Sequence, residues 1–244
     1  MIALKEVRKE YLQPNGERLR VLENITFEIA EGMFSSLLGP SGCGKSTILN
    51  LIAKLDRHTS GDILVNGNKI GFVFQQPRLL NWRTVTDNVA LPLERDNSDK
   101  RGRRELAVKY LDLVGLSGFE NYYPLQLSGG MQQRVAIARA LVIDPDILLM
   151  DEPFSGLDEF TARKLRQELI RIWRETGKTI VFVTHSISEA VFLSEQILIV
   201  SQKPATIFKR VTVDVPYPRE YGDLRLFEIE TSLTRDFLEM NSER

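Results

Sequence analysis

The chain has 244 residues, enough for one large domain or for a core with a smaller lobe. Its 32 lysines and arginines are balanced by 33 aspartates and glutamates, so the net charge of -1 excludes a bulk attraction for polyanions such as nucleic acid. A single cysteine excludes an internal disulfide, and no apolar stretch approaches the roughly 20 residues of a membrane-spanning helix.

The first 35 residues alternate apolar and polar side chains at several places and contain a turn signal, Pro14-Asn15-Gly16. This pattern predicts an antiparallel β layer. Two further strands are expected at residues 63–67 and 70–74, around a glycine turn. Because the N-terminus lacks the basic and apolar segments of a secretory signal, we expect the chain to stay in the cytosol.

Residues 38–50 read LGPSGCGKSTILN and contain, from Gly39 to Ser46, the phosphate-binding pattern G-x-x-x-x-G-K-[ST]. A predicted strand precedes the pattern and a predicted helix follows it. The glycines let the backbone N–H groups point at phosphate oxygens, and the helix adds the positive end of its dipole. Lys45 can then reach the β- and γ-phosphates, and the Ser46 hydroxyl is suited to hold Mg²⁺. A glycine-rich turn between strand and helix, without a ligand, is the alternative.

The residues predicted to bind the nucleotide in this loop are Gly39, Pro40, Ser41, Gly42, Cys43, Gly44, Lys45, Ser46 and Thr47. Cys43 lies close to a predicted helix N-terminus, where the positive end of the dipole favours the thiolate. We therefore expect its alkylation to block nucleotide binding.

Residues from about 78 to 143 are predicted to be mainly helical, with an apolar helix face at 103–116 followed by glycine stops. A dense cluster of charges at 95–104 predicts a solvated loop and a helix start, with a binding role as the alternative.

From residue 147 onwards, short apolar runs alternate with helical segments. Strands are predicted at 147–150, 179–184 and 197–201, and helices at 159–175 and 188–194. Such alternation implies a parallel sheet with crossover helices, and ligands of such sheets bind beyond the carboxyl ends of the strands. The loops after Leu38, Met150 and Thr184 are therefore expected to converge on one site. The tail from about 202 predicts strand-like pieces at 205–207 and 211–215 and a helix at 224–238, and no function follows from its sequence.

Two carboxylates, Asp151 and Glu152, follow the apolar strand at 147–150. Charges at the end of a buried strand are costly unless they meet a cation or transfer a proton. Asp151 is predicted to help hold Mg²⁺, usually through its water. Glu152 is predicted to polarise the attacking water as general base.

The segment LSGGMQQR covers residues 127–134. Ser128 is expected to be the N-cap of the next helix, and Gly129 and Gly130 leave backbone N–H groups open to a second anion. With this segment the chain resembles the nucleotide-binding subunits of ATP-binding cassette (ABC) transporters, whose defining signature is LSGGMQQR. The segment also lies between the phosphate loop and the acidic strand, which is the order found in that family. The resemblance covers essentially residues 1–200.

The resemblance implies an α/β fold, the P-loop NTPase ABC cassette, with a mainly parallel sheet core, an antiparallel β layer and a helical subdomain. Residues 1–244 would form a single ABC ATPase domain. Within it, the RecA-like core with the β layer would occupy about 1–77 and 144–201, the helical subdomain about 78–143, and a short C-terminal extension about 202–244.

The resemblance also implies individual roles. Gln75 matches a glutamine that contacts Mg²⁺ and couples to the membrane subunit, and His185 matches a histidine that senses the γ-phosphate and orders the attacking water. Ser155 and Asp158 lie in a loop that communicates across a dimer. Tyr11 looks like the aromatic residue that stacks on adenine, with a core or surface tyrosine as the alternative.

The implied catalytic residues are thus Lys45, Glu152 and His185, and the implied metal ligands are Ser46, Gln75 and Asp151. In this family the site is completed by a second copy, whose contribution here would be Ser128, Gly129, Gly130 and Gln132. Two ATP molecules with Mg²⁺ would be buried in a homodimer that forms in the ATP-bound state and opens after hydrolysis.

The segment from 75 to 93 resembles the importer subunits for nitrate, sulfonates, taurine and related small anions. Asn81 stands where a proline commonly precedes the tryptophan. Leu79, Leu80 and Trp82 are expected to line a groove for a coupling helix of the permease, with packing inside the helical lobe as the alternative.

The function implied is an ATP-hydrolysing subunit that powers import of a small solute through a separate membrane permease. It would be peripheral, at the cytoplasmic face of the cell membrane, with an extracytoplasmic solute-binding protein as indirect partner and no nucleic acid. The alternatives are the cassette of an exporter, a soluble ABC ATPase acting on nucleic acid, and a small-molecule kinase. A nucleic-acid ATPase usually carries long insertions or a second cassette, and a kinase has no use for LSGGMQQR.

Overall fold

The computed structural model describes residues 1–96 and 99–242. Asn97 and Ser98 of the charge cluster, and the last two residues of the C-terminal extension, lie outside the described residues. The chain divides into two compact units, the first comprising Met1–Asn66 and Thr179–Arg244, the second Gly67–Lys178. Among the described residues, no helix has both the length and the apolar character needed to cross a membrane.

The first unit contains the antiparallel β layer that the N-terminal alternation predicts. Its strands are β1 (Ile2–Leu12), β2 (Arg18–Ile29) and β4 (Ser60–Val65), in the order β2-β1-β4. Apolar residues at alternating positions, such as Ile2 and Leu4, are buried on one face. The predicted turn between β1 and β2 is confirmed, with Gly16 at φ 84°.

The same unit holds a buried set of parallel strands. They are β3 (Phe34–Leu38), β7 (Thr179–Thr184) and β8 (Gln196–Val200), with β3 between the other two. Every residue of these strands is buried or nearly so, as expected for strands covered on both faces. Helices α1 (Lys45–Ile52), α6 (Ile187–Leu193) and α7 (Leu224–Ser242) complete the unit.

The tail corrects one expectation. The prediction of two separate strand-like pieces at 205–207 and 211–215 is wrong. The structure has one strand, β9 (Ile207–Thr212), which spans the gap between them and pairs antiparallel with β8. The centre of β9 is Lys209-Arg210, so a search for apolar runs does not detect this strand. Exposed charged residues of this kind are typical of strands that form the edge of a sheet.

The second unit contains the predicted helices. Strands β5 (Ile70–Val73) and β6 (Ile147–Asp151) pair in parallel. The helices are α2 (Val85–Ala90), α3 (Lys100–Leu113), α4 (Gly129–Leu141) and α5 (Glu159–Thr176), with short 3₁₀ helices at Leu91–Asp96 and Pro124–Gln126. The predicted helix at 159–175 is confirmed as α5, which begins after the N-cap Asp158 and ends at Gly177 in the left-handed conformation. The expected helical subdomain at about 78–143 and its boundaries stay a prediction.

Candidate functional site

The glycine-rich loop connects the buried strand β3 to helix α1. Gly42 and Gly44 have φ of 75° and 123°, which a residue with a side chain adopts only with strain. A Cβ at Gly39 would lie 2.6 Å from the carbonyl oxygen of Val200, whereas one at Gly42 would meet nothing within 4 Å. The loop therefore packs tightly on β8 at one point and leaves space at another.

Lys45 is the buried cation of this loop, with 4% of the residue exposed. Its Nζ donates hydrogen bonds to the carbonyl oxygens of Gly39 and Pro40, each at 2.8 Å. A buried ammonium group needs such partners because burial removes its water. The N-cap of α1 is Gly44, which has no side chain to cap the first turn, so an anion can bind the N–H groups there.

Cys43 corrects a second expectation. The residue is 2% exposed, and burial, more strongly than any other influence, raises the pKa of its thiol above the ordinary value. Lys45 acts in the opposite direction but does not outweigh burial. The expected thiolate, favoured by a helix dipole, is therefore wrong, because loss of solvent dominates.

Tyr11 lies at the end of β1 with 38% of the residue exposed. Its hydroxyl donates to Asp56 Oδ2 at 2.6 Å, and Lys9 Nζ lies 4.4 Å from the ring centroid. Burial and Asp56 raise the pKa of Tyr11, while a hydrogen bond with Thr47 lowers it. The contact with Thr47 places the Tyr11 hydroxyl beside the first turn of α1.

His185 follows β7 and is exposed. In the parallel pairing of β3 with β7, Leu38 lies opposite Thr184. The phosphate loop and the turn that carries His185 therefore leave neighbouring strands at the same edge, as predicted. The convergence of the loop after Met150 with these two stays a prediction.

In the second unit, β6 ends at Asp151, and Glu152 directly follows it. Asp151 is 8% exposed, and Glu152 has a φ of 44°, a strained value for a residue with a side chain. Gln75 Nε2 lies 3.4 Å from Glu152 Oε2 and donates to it. Gln133 Nε2 donates to the carbonyl oxygen of Phe74 at 3.3 Å, which anchors the backbone just before Gln75.

The segment LSGGMQQR begins helix α4. Ser128 is its N-cap, as predicted, and its Oγ accepts from the N–H of Met131 at 3.3 Å. Ser128 and Gly129 are exposed, while a Cβ at Gly130 would lie 2.9 Å from Leu157 Cδ2. Gln132 donates its amide to the carbonyl oxygens of Pro124 and Leu127, so this side chain shapes the loop before the helix.

Ser155 and Asp158 shape the turn between β6 and α5. Ser155 Oγ donates to the carbonyl oxygen of Glu152 at 2.8 Å. Asp158 accepts from the N–H of Thr161 at 2.9 Å, and this hydrogen bonding lowers the pKa of Asp158. Both residues are exposed. The conformation of Glu152 is thus tied to the start of α5.

Sequence reasoning missed Asn88, a fully buried residue in α2. Its Oδ1 accepts from the N–H of Leu80 at 2.8 Å, and its Nδ2 donates to the carbonyl oxygens of Leu80, Arg83 and Thr84 at 3.0 to 3.1 Å. These bonds fold the loop that carries Trp82, which is 75% exposed. No local signal could have found it, because its neighbours Thr86 and Asp87 are polar as well.

The family model for ABC transporters matches residues 22–155. This chain belongs to the ABC transporter family. The resemblance seen in its motifs is therefore confirmed.

Two relatives illustrate the family. The aliphatic sulfonates import ATP-binding protein SsuB of Bacillus cereus is 43% identical over 244 residues, covering 97% of this chain and 95% of that protein. The taurine import ATP-binding protein TauB of Pelagibacter ubique is 43% identical over 219 residues, covering 87% of this chain and 83% of that protein.

Among solved structures, this cassette is similar to the dimeric structure of a post-hydrolysis state of the ATP-binding cassette MJ0796 bound to ADP and Pi. The TM-score is 0.82 at 38% identity, covering 88% of this chain and 100% of that chain. The expected ABC cassette fold and the expected enzyme class, an ATPase, are confirmed.

Proposed function

We propose that this cassette binds ATP with Mg²⁺, hydrolyses it between two copies of itself, and so powers import of a small sulfonate or taurine-like solute through a separate permease. The observation that carries the proposal is the phosphate loop, where a buried ammonium group lies among glycines with positive φ. The relatives named for sulfonate and taurine import support the direction of transport and the solute class.

The loop residues fit a triphosphate. Lys45 Nζ now bonds to the uncharged carbonyls of Gly39 and Pro40, and charged phosphate oxygens are stronger acceptors. The space beside Gly42 lets the backbone approach a ligand closely. The phenol ring of Tyr11, beside Thr47, offers a face to adenine.

The metal ligands are assigned from donor chemistry. Ser46, Gln75 and Asp151 carry the hydroxyl, amide and carboxylate oxygens that Mg²⁺ prefers. When bound, the ion neutralises charge on the β- and γ-phosphate oxygens. Asp151 ends a buried strand with 8% exposure, and an ion beside it would offset the cost of burying that charge.

Glu152 is the general base. A water oxygen bonds to the γ-phosphorus, the bond to the β,γ-bridging oxygen breaks, and ADP and phosphate form. The proton of that water goes to a carboxylate oxygen of Glu152, which Gln75 Nε2 orients from 3.4 Å. His185, at the edge where the phosphate loop also starts, contacts the γ-phosphate and orders the water.

The second half of each site comes from a second copy. Ser128, Gly129 and Gly130 start α4 with an exposed N-terminus, which suits the γ-phosphate held by the other copy. The dimeric state of the similar solved cassette supports this arrangement. Ser155 and Asp158 then link Glu152 to the dimer interface.

The permease binds around Trp82, whose large apolar side chain is 75% exposed on a loop folded by Asn88. Tryptophan is enriched at protein–protein interfaces relative to the rest of the protein surface. This contact places the cassette at the cytoplasmic face of the membrane, and an extracytoplasmic solute-binding protein delivers the solute.

Growth on a defined sulfur source tests the proposal. Deleting the coding sequence from the source organism should abolish growth on an alkanesulfonate or taurine and leave growth on inorganic sulfate intact. The wild-type sequence should restore growth, and the Glu152→Gln variant should not. Unchanged growth of the deletion strain on both sulfonates would contradict the proposed solute class.

Trp82→Ala tests the permease contact. In membranes that contain the complete transporter, this variant should lose solute uptake. The isolated variant cassette should hydrolyse ATP at the wild-type rate. Phe227→Ala is the matched control, because Phe227 is also exposed, at 64%, but lies on α7. Unaltered uptake with Trp82→Ala would reject the assignment of this surface.

A further inference from the structure

The C-terminal end of helix α6 is held by side chains from the tail. This helix has only seven residues, Ile187–Leu193, and begins two positions after His185. The last four carbonyl groups of a helix have no partner inside the helix, and a helix this short is unstable alone. Its buried end therefore needs donors from elsewhere.

Arg219 and Tyr217 supply these donors. Arg219 Nη1 donates to the carbonyl oxygens of Val191, Phe192 and Ser194 at 2.7, 3.2 and 2.9 Å. The Tyr217 hydroxyl donates to the carbonyl oxygen of Leu193 at 2.7 Å. Four consecutive carbonyls at the end of α6 are thus bonded to two side chains 24 to 28 residues away along the chain.

The guanidinium group is also fixed to its own segment. Arg219 Nε donates to the carbonyl oxygen of Val215 at 3.0 Å, and Nη2 donates to that of Val213 at 3.2 Å. The residue is 5% exposed, and its guanidinium carbon lies 4.1 Å from the ring centroid of Tyr217. A buried cation without these carbonyls would be costly, whereas at a helix C-terminus it also meets the negative end of the dipole.

The opposite end of α6 is fixed as well. Thr184 Oγ1 donates to Glu189 Oε2 at 2.6 Å and accepts from the N–H of Ser186 at 3.0 Å. Ser186 Oγ accepts from the N–H of Glu189 at 3.3 Å as the N-cap. His185 therefore lies in a turn between strand β7 and a short helix whose far end is set by the tail.

We infer that Arg219 and Tyr217 of the C-terminal extension are positioning residues for His185, acting through α6. The inference rests on the proposed role of His185 in hydrolysis. It gives the extension a task in the ATPase cycle, because displacement of α6 moves the imidazole relative to the phosphate loop. Displacements of about 1 Å at a reacting group can lower a rate on the order of a hundredfold.

The two histidines of the chain, His58 and His185, allow a direct test. In protein labelled with ¹³C at histidine Cε1, Tyr217→Phe and Arg219→Met should shift or broaden the His185 signal and leave the His58 signal unchanged. Arg225→Met is the matched control, because Arg225 is an exposed arginine of the same extension. If Arg219→Met does not fold, Tyr217→Phe, which removes only one hydroxyl, decides the test.

Kinetics separates positioning from general support of the fold. Arg219→Met should lower kcat for ATP on the order of tenfold to a hundredfold with KM changed by less than about twofold. In a His185→Ala background it should cause no further loss, because it acts through that residue. The inference would be overturned if Tyr217→Phe left the His185 signal unchanged. It would also be overturned if Arg219→Met lowered kcat as much in the His185→Ala background as in the wild type. If His185→Ala alone hydrolysed ATP at the wild-type rate, the proposed role of His185 would be rejected. The NMR signal of His185 in the Tyr217 and Arg219 variants would still show whether these residues position it.

Discussion

At the residue scale, Cys43 lies in the phosphate loop but is shielded from reaction. Burial raises the pKa of its thiol above the ordinary value of 9.0, so at any pH near neutrality less thiolate is present than in the unfolded chain. We expect iodoacetamide to modify the folded protein far more slowly than the same protein in urea. The rate in the folded state should still be rising with pH at 9.0, where the rate in the unfolded chain begins to level off. Equal rates in both states at pH 8 would contradict this account.

Gly39 and Gly42 are predicted to differ in their tolerance of a methyl group. In Gly39→Ala the new Cβ lies 2.6 Å from a backbone oxygen of Val200, which cannot rotate away, and we expect a loss of about 2–3 kcal/mol in the free energy of unfolding. In Gly42→Ala the Cβ meets open space, and only the positive φ costs about 1 kcal/mol. Urea unfolding checks the order, and a Gly42→Ala variant that is the less stable of the two would contradict it.

At the element scale, Asn88 determines how α2 holds the Trp82 loop. Asn88→Asp replaces an amide that donates to three carbonyls with a group that only accepts. We expect the free energy of unfolding to fall by about 2–4 kcal/mol, because buried carbonyls lose their partner. Asn121→Asp, at an exposed position, is the control and should change it by less than about 0.5 kcal/mol. Equal stabilities of the two variants would show that the loop is held by other contacts.

Elements with local signals could be predicted from the sequence. Helix α5 carries its own N-cap, apolar stripe and terminal glycine. Strand β7 contains a run of four apolar residues, and its bounds, 179–184, are those that the sequence predicts. Strand β9 could not be predicted, because its partner β8, rather than an apolar pattern of its own, determines its bounds. The same holds for Arg219, whose acceptors on α6 lie 25 to 28 residues earlier in the chain.

The candidate site also contains features that the sequence predicts and features that only the fold determines. The phosphate loop could be predicted because its glycines, Lys45 and Ser46 form one contiguous motif with a strand before it and a helix after it. The pKa of Cys43 was predicted in the wrong direction, because the helix terminus is a local feature whereas burial depends on the whole fold. The tie between Gln75 and Glu152 joins residues 77 positions apart and is likewise a product of the fold.

At the scale of the whole molecule, the proposed ATP hydrolysis depends on sites shared by two copies. In the proposed site, one chain would contribute Lys45 in the phosphate loop, and the other would contribute Ser128 at the exposed start of α4. A shared site predicts that ATP closes the pair and that hydrolysis opens it, so that chemistry and movement are coupled. The same closure would pull on a permease bound around Trp82.

Mixing two inactive variants tests this claim most directly. Lys45→Ala lacks the phosphate-loop cation, Ser128→Arg lacks the group offered to the other copy, and each should be inactive alone. In an equal mixture, half of the pairs contain both variants and each such pair has one intact site, so we expect about a quarter of the wild-type ATPase rate. A mixture as inactive as its two components would contradict the shared site.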